Sequence, residues 1–154
     1  MKVQNKSLRP EEKLEKMGLI LPKKREKAGN YLSCVQTGNL LFLSGVVSHE
    51  FIGKVGSDLT MEEGYEAAKT AALLALTTIK EELGELSRVK KFVKLLGLIN
   101  STLDFTSHAK VMNGASDLFV ELFGEETGGH ARTAIGVILP RGAAIELDII
   151  VEVE

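Results

Sequence analysis

The sequence predicts an α+β domain of order ββαβαββ, with two helices packed on one face of a mixed sheet. Three observations predict it. Residues 61–83 carry apolar side chains at helical spacing and end before Gly84. Residues 105–123 repeat that arrangement and stop before Gly124. Around and between these stretches lie runs whose apolar residues alternate or cluster over strand lengths, the last of them ending at Glu154.

The elements follow in chain order. Residues 8–17, LRPEEKLEKM, suit a short helix, with Pro10 in its first turn and Gly18 after its end. LPKKREKAGN then reads as a connection, so residues 1–28 form a basic N-terminal extension and the compact domain occupies 29–154. In YLSCVQTGNLLFLSGVV, Thr37-Gly38-Asn39 breaks a hairpin into strands 31–36 and 40–47. Ser44-Gly45 interrupts the second strand, where a glycine marks a bulge or a close backbone approach. Thr60 and Glu63 form a capping box for the first long helix, whose buried face holds Ala68, Ala72, Ala75, Leu76, Ile79 and Leu83. Those small residues point to close packing on a sheet.

Residues 89–99, VKKFVKLLGLI, form a third strand. The second long helix buries Phe105, Met112, Ala115, Phe119 and Leu122, although Gly114 weakens its middle by about 1 kcal/mol. Pro140-Arg141-Gly142 supplies turn chemistry between two final extended runs. The last alternates Ile145, Leu147, Ile149, Val151 and Val153 with more polar partners, the period of a half-buried strand.

With 154 residues, 44% hydrophobic and 26% charged, the chain suits one globular domain and not a disordered segment. No apolar run is long enough to span a bilayer, and no apolar region follows the N-terminal charges as in a secretory signal. The one cysteine, Cys34, cannot form an intrachain disulfide; its expected place is a buried structural thiol, and a cytoplasmic location is expected. The net charge of −2 hides an asymmetry, since residues 1–28 hold nine Lys/Arg against four Glu. The remaining body is therefore acidic and offers no footprint for sequence-independent nucleic-acid binding. His49, His108 and His130 lack metal-ligand spacing, so neither metal nor cofactor is expected.

Arg132 and Glu146 raise the functional question, since a strand pair needs neither to fold. If residues 131–150 fold as a hairpin about Arg141, then Arg132, Ala134, Gly136, Glu146, Asp148 and Ile150 share one face. A floor of small residues between a cation and an anion has room for a small polar ligand. Arginine offers a planar fork that fits a carboxylate, and a glutamate can hold a water or move a proton. The pattern equally allows both charges to be solvated, Arg132 against a surface carboxylate and Glu146 beside Asp148 and Glu152.

YLSCVQTGNLLFLSG, VKKFVKLLGLINSTLDFTSHAKV and HARTAIGVILPRGAAIELDII together resemble the Rid family, also known as YjgF or L-PSP endoribonuclease-like, over about residues 29–154. The chain is most similar to a longer subgroup with an N-terminal extension and an NGASDLFVELFGE helix at 113–125. The resemblance implies a chorismate-mutase-like fold and a homotrimeric barrel with clefts between subunits. Trimer formation would also cover the sheet face that the helices leave bare. It further implies hydrolysis of reactive enamines and imines to a keto acid and ammonia, like that of 2-iminobutanoate/2-iminopropanoate deaminases. By position, Arg132 matches the arginine that binds the substrate carboxylate and Glu146 the glutamate that handles the proton or water. Tyr31 matches a cleft tyrosine, and Ser44 with Gly45 a ligand-contacting pair. Asn113 corresponds to the cleft asparagine, with Met112 competing for that position, and His130 stands where the deaminases have proline. Two departures bear on this transfer: Ala134 replaces the family cysteine, and the segment from Arg132 to Pro140 is one residue shorter.

Three functions follow. The first is a deaminase acting on small carboxylate-bearing metabolites, with Arg132 and Glu146 as the catalytic pair and Tyr31, Ser44, Gly45, Asn113 and His130 binding substrate. The second is a non-catalytic trimer that binds a small carboxylate. The third, an endoribonuclease or translation inhibitor, sits poorly with the acidic body, the two tyrosines and the absence of tryptophan.

Overall fold

A computed structural model describes residues 7–154. Its elements are α1 (Pro10–Lys16), β1 (Cys34–Thr37), β2 (Leu40–Leu43), β3 (Val46–Val47), α2 (Met61–Leu83), β4 (Val89–Asn100), α3 (His108–Gly128), β5 (Ala131–Val137) and β6 (Ile145–Val153). The sheet runs β1-β2-β6-β4-β5, with β3 continuing the β2 side along β6. All its pairings are antiparallel except β4 with β5, so the sheet is mixed.

The predicted elements form where the sequence placed them, with shifted ends. Ser44-Gly45 does split the expected strand 40–47 into β2 and β3. The Thr60 hydroxyl accepts from Glu63 N–H at 3.1 Å, and the Glu63 carboxylate accepts from Thr60 N–H at 2.7 Å. This reciprocal pair satisfies two of the donors that a helix start leaves open. α3 starts at His108, not at 105, and continues past a break at Gly124 (φ 77°, ψ 167°) to Gly128.

The expected hairpin between the last two strands does not form. β4 lies between them, pairing parallel with β5 and antiparallel with β6. Arg132 is opposite Leu95, which is opposite Ile149; Glu146 is opposite Leu98, which is opposite Ile135. Side chains alternate along each strand, and paired residues point the same way. Arg132 therefore stands on the helix-covered face and Glu146 on the other. Their placement on one shared face is corrected by the strand order. A parallel β4–β5 pair needs a crossover, and α3 supplies it.

Leu95, Ile145, Leu147, Ile149 and Val151 meet α2 and α3 in one core. Ala67, Ala68, Ala71, Ala72 and Ala75 are fully buried, which brings α2 close to its neighbours. Gly114 explains its own presence: a Cβ there would lie 2.0 Å from the Tyr65 carbonyl oxygen. What a glycine costs in helix propensity is offset by the approach of two backbones. Helix α1 packs on α3, burying Leu14, and the Glu11 carboxylate accepts from Leu86 N–H at 2.7 Å. On the opposite face Val35, Phe42 and Ile135 remain exposed, beside half-buried Leu96, Leu98 and Ile150. No helix among the described residues is long and apolar enough to cross a membrane.

Gly114→Ala is expected to destabilise the fold by about 1–3 kcal/mol, because a backbone carbonyl cannot move aside as a side chain can. Urea unfolding of the variant against Gly84→Ala separates this steric effect from the strain of replacing a left-handed glycine, since a Cβ at Gly84 meets nothing within 4 Å.

Candidate functional site

The candidate residues gather in two places. Tyr31, Ser44, Gly45 and Glu146 line a cleft of about 360 Å³ beside β3 and the Leu74 and Thr78 side of α2, together with Ser48, His49 and Arg141. Asn113, His130 and Arg132 gather where α3 meets β5.

In the first group, the bulge read at Ser44-Gly45 has a specific consequence. A Cβ on Gly45 would lie 2.2 Å from a Glu146 carboxylate oxygen, so the missing side chain is the space the carboxylate occupies. Ser44 donates its hydroxyl hydrogen to the Leu32 carbonyl, fixing the bend between β2 and β3. Tyr31 is half exposed, and its phenolic oxygen accepts from Ala28 N–H at 3.3 Å. Glu146 has no hydrogen bond or ion pair among the described residues. Burial, and then the neighbouring Asp148 carboxylate, hold its pKa above the usual carboxylate value. An unpaired, partly desolvated carboxylate is suited to accept a proton from water.

The second group is built around the guanidinium. Arg132 Nη1 donates to Asn113 Oδ1 at 2.8 Å and to Ser116 Oγ at 3.0 Å, and Nη2 donates to the Ala109 carbonyl at 3.2 Å. Three of the five donors of an arginine fork are thus engaged, all by neutral acceptors. The cation is positioned, is not neutralised by a carboxylate, and keeps two donors for a ligand. Asn113, not Met112, is the residue that meets Arg132. Met112 is fully buried and packs where a Gly97 Cβ would be, 2.5 Å from its terminal methyl.

His130 reaches this group through Ser116, whose hydroxyl lies 2.9 Å from Nε2, while Nδ1 lies 2.7 Å from the Gly128 carbonyl. A carbonyl can only accept, so Nδ1 carries the hydrogen and Nε2 accepts from Ser116. Desolvation lowers the His130 pKa, the Gly128 bond acts in the opposite sense, and the nearby Arg132 and Lys91 charges lower it again. Ser116 was absent from the sequence reading, and only its position one helical turn from Asn113 could have signalled it. Ala134 packs against the core on the Arg132 side of the sheet. Cys34 is half-buried, with its thiol pKa pushed up to about 11 by burial and then by Glu82. It is a poor nucleophile. No three His, Cys, Asp or Glu side chains converge as a metal site among the described residues.

This arrangement can be set beside known proteins. The sequence profile of the YjgF/chorismate-mutase-like endoribonuclease family matches residues 11–145. The chain belongs to this family. Protein TCP17 of Trypanosoma cruzi is 43% identical over 145 residues, which cover 90% of this chain and 91% of that protein. The crystal structure of Atu1372 from Agrobacterium tumefaciens, of unknown function, matches with a TM-score of 0.87 and 36% identity, over 94% of this chain and 92% of that one. A Shewanella oneidensis MR-1 protein described as an endoribonuclease matches with a TM-score of 0.91 and 34% identity, over 95% of this chain and all of that one (100%). The YjgF match begins at residue 11, inside α1, and takes in the rest of that helix.

Glu146 carries a stability signature that its cleft predicts. Folding raises its pKa, so the folded state is favoured below the ordinary glutamate range and loses stability as pH rises through the raised value. Glu146→Gln is therefore expected to melt above the wild type at about pH 8, with the gap closing towards about pH 4. Thermal melts of both proteins across that range check it.

Proposed function

We propose that the protein hydrolyses imines or enamines of small carboxylate-bearing metabolites, in a cleft completed between two copies of the chain. The observation that carries this reading is the Glu146 carboxylate, held against bare backbone at Gly45 with a raised pKa and no counter-ion among the described residues. A carboxylate kept in that state for stability alone makes little physical sense, because its ionisation opposes folding.

Arg132 supplies the complementary function, an anchored cation with donors to spare. Since it stands on the opposite sheet face from Glu146, the two serve one ligand only if Arg132 comes from a neighbouring copy. The YjgF family is oligomeric, and the exposed apolar face of the sheet supports association as a trimer. In this assembly Arg132 fixes the substrate carboxylate. Glu146 takes a proton from a water as the water oxygen bonds to the imine carbon, the C=N π pair moves to nitrogen, and Glu146 returns the proton to that nitrogen. Collapse of that adduct breaks the carbon–nitrogen bond, the nitrogen leaves protonated as ammonia, and a keto acid remains. Tyr31 and Ser44 shape the wall beside the reacting carbon, and Asn113, with Ser116 and His130 behind it, keeps the guanidinium in place. The chemistry requires no thiol, so Ala134 in the position of the deaminase cysteine leaves it intact.

Ammonia release from freshly generated 2-aminoacrylate and longer imines tests this reading. Glu146→Gln is expected to lower turnover by about 10²–10⁴-fold, and Arg132→Ala to abolish saturation by substrate. Sedimentation should give three times the chain mass. Rates equal to buffer for every imine would leave a trimer that only binds a carboxylate.

The proton role makes a separate prediction. Asp148 is the second cause of the raised Glu146 pKa, after burial. Asp148→Asn should move the acid limb of the pH–rate profile to lower pH, because Glu146 then stays ionised further into acid.

A further inference from the structure

The cleft has a second end that the reaction above does not use. Besides Glu146 and Gly45, it is lined by Lys24, Arg25, Glu26 and Lys27 of the N-terminal segment and by Arg141 of the turn before β6. Four cations thus face two carboxylates. One of the four, Lys24, is engaged 3.1 Å from Glu81 of α2. Arg25, Lys27 and Arg141 have no ion pair among the described residues, although the body of the chain is acidic. A local positive surplus on an acidic protein marks a place where an anion is favoured.

These cations are placed rather than trailing. Leu14 is anchored in the core, and Thr77 of α2 donates its hydroxyl hydrogen to the Pro22 carbonyl at 2.7 Å. The Lys24–Glu81 pair follows two residues later. The segment is thereby strapped along α2 until it reaches the cleft.

Arg141 is held by a different constraint. Its φ of 58° makes it the one non-glycine residue with positive φ among those described, a conformation that costs about 1 kcal/mol or more for an L side chain. Asparagine or glycine would fit that turn more easily, so the arginine there answers a need other than folding. Arg25, His49 and Arg141 also line an adjoining depression. His49 registers both: after burial, the charges of Arg25 and Arg141 lower its pKa.

We propose that Arg25 and Arg141 form a second anion subsite at the mouth of the Glu146 cleft, selecting substrates that carry an acidic group at the end remote from the imine. The inference rests on the reading of this cleft as the ligand site and names its substrate class: small imino acids with two anionic ends, the far one a carboxylate or a phosphate. One end meets Arg132 of a second copy and the other meets the strap and the turn of this chain. A cleft of about 360 Å³ accommodates a molecule of that size.

Equilibrium binding tests it without requiring turnover. Calorimetric titration of the full-length protein would compare 2-oxobutanoate, with one anion, against 2-oxoglutarate and 3-phosphoglycerate, with a second carboxylate or phosphate. The two-anion probe of matching source should bind at least about tenfold tighter, the worth of one charge-assisted contact. Arg25→Gln and Arg141→Asn should each remove that preference while leaving 2-oxobutanoate unchanged. Asparagine tolerates the left-handed turn, so the second variant removes the charge without unfolding the site. Equal affinities in the wild type, or a preference that survives both substitutions, overturn the subsite. The preference found with no turnover on any imine leaves the subsite standing and removes the hydrolase; turnover without preference does the reverse.

Discussion

The insertion of β4 between β5 and β6 is the constraint on which the rest of the molecule depends. A parallel neighbour for β5 forces the chain over the sheet through α3, and that crossover lies on the same side as α2. One face of the sheet is thereby covered by both long helices, while Val35, Phe42 and Ile135 stay exposed on the other. The same strand order separates Arg132 from Glu146 by the thickness of the sheet.

The two charged groups are held in different manners. The Arg132 guanidinium is held by neutral oxygens of Asn113, Ser116 and Ala109, which fix its direction without quenching its charge. A carboxylate in place of Asn113 would hold it as firmly and leave less for a substrate. Glu146 is prepared by withholding partners: Gly45 gives it room, burial removes water, and Asp148 adds repulsion. The first arrangement is compatible with stability, whereas the second opposes it once the carboxylate is ionised.

Much of this was legible beforehand. The capping box at Thr60, the glycine stop at Gly84 and the break at Ser44-Gly45 are local features, decided by residues within a turn of one another, and all are present in the structure. Arg132, Glu146, Tyr31, Ser44 and Gly45 stood out through the resemblance of their motifs to a known family. Ser116 and Arg141 did not stand out as site residues. The partners of Ser116 are distant in sequence, and neither a serine in a helix nor an arginine in a turn signals anything alone.

The sequence by itself therefore determined the element order, the helix and strand types, and the family to which the chain belongs. Periodicity, caps and motifs are short-range properties carried by the residues themselves. Tertiary structure decided which strands are neighbours, and with it which face each charged residue occupies. Alternation along a strand says that two residues share a side only once the pairing is known, and residues 131–150 read equally well as a hairpin or as two strands parted by a third. The choice belonged to the hydrophobic face of β4, buried between them where no local pattern could place it.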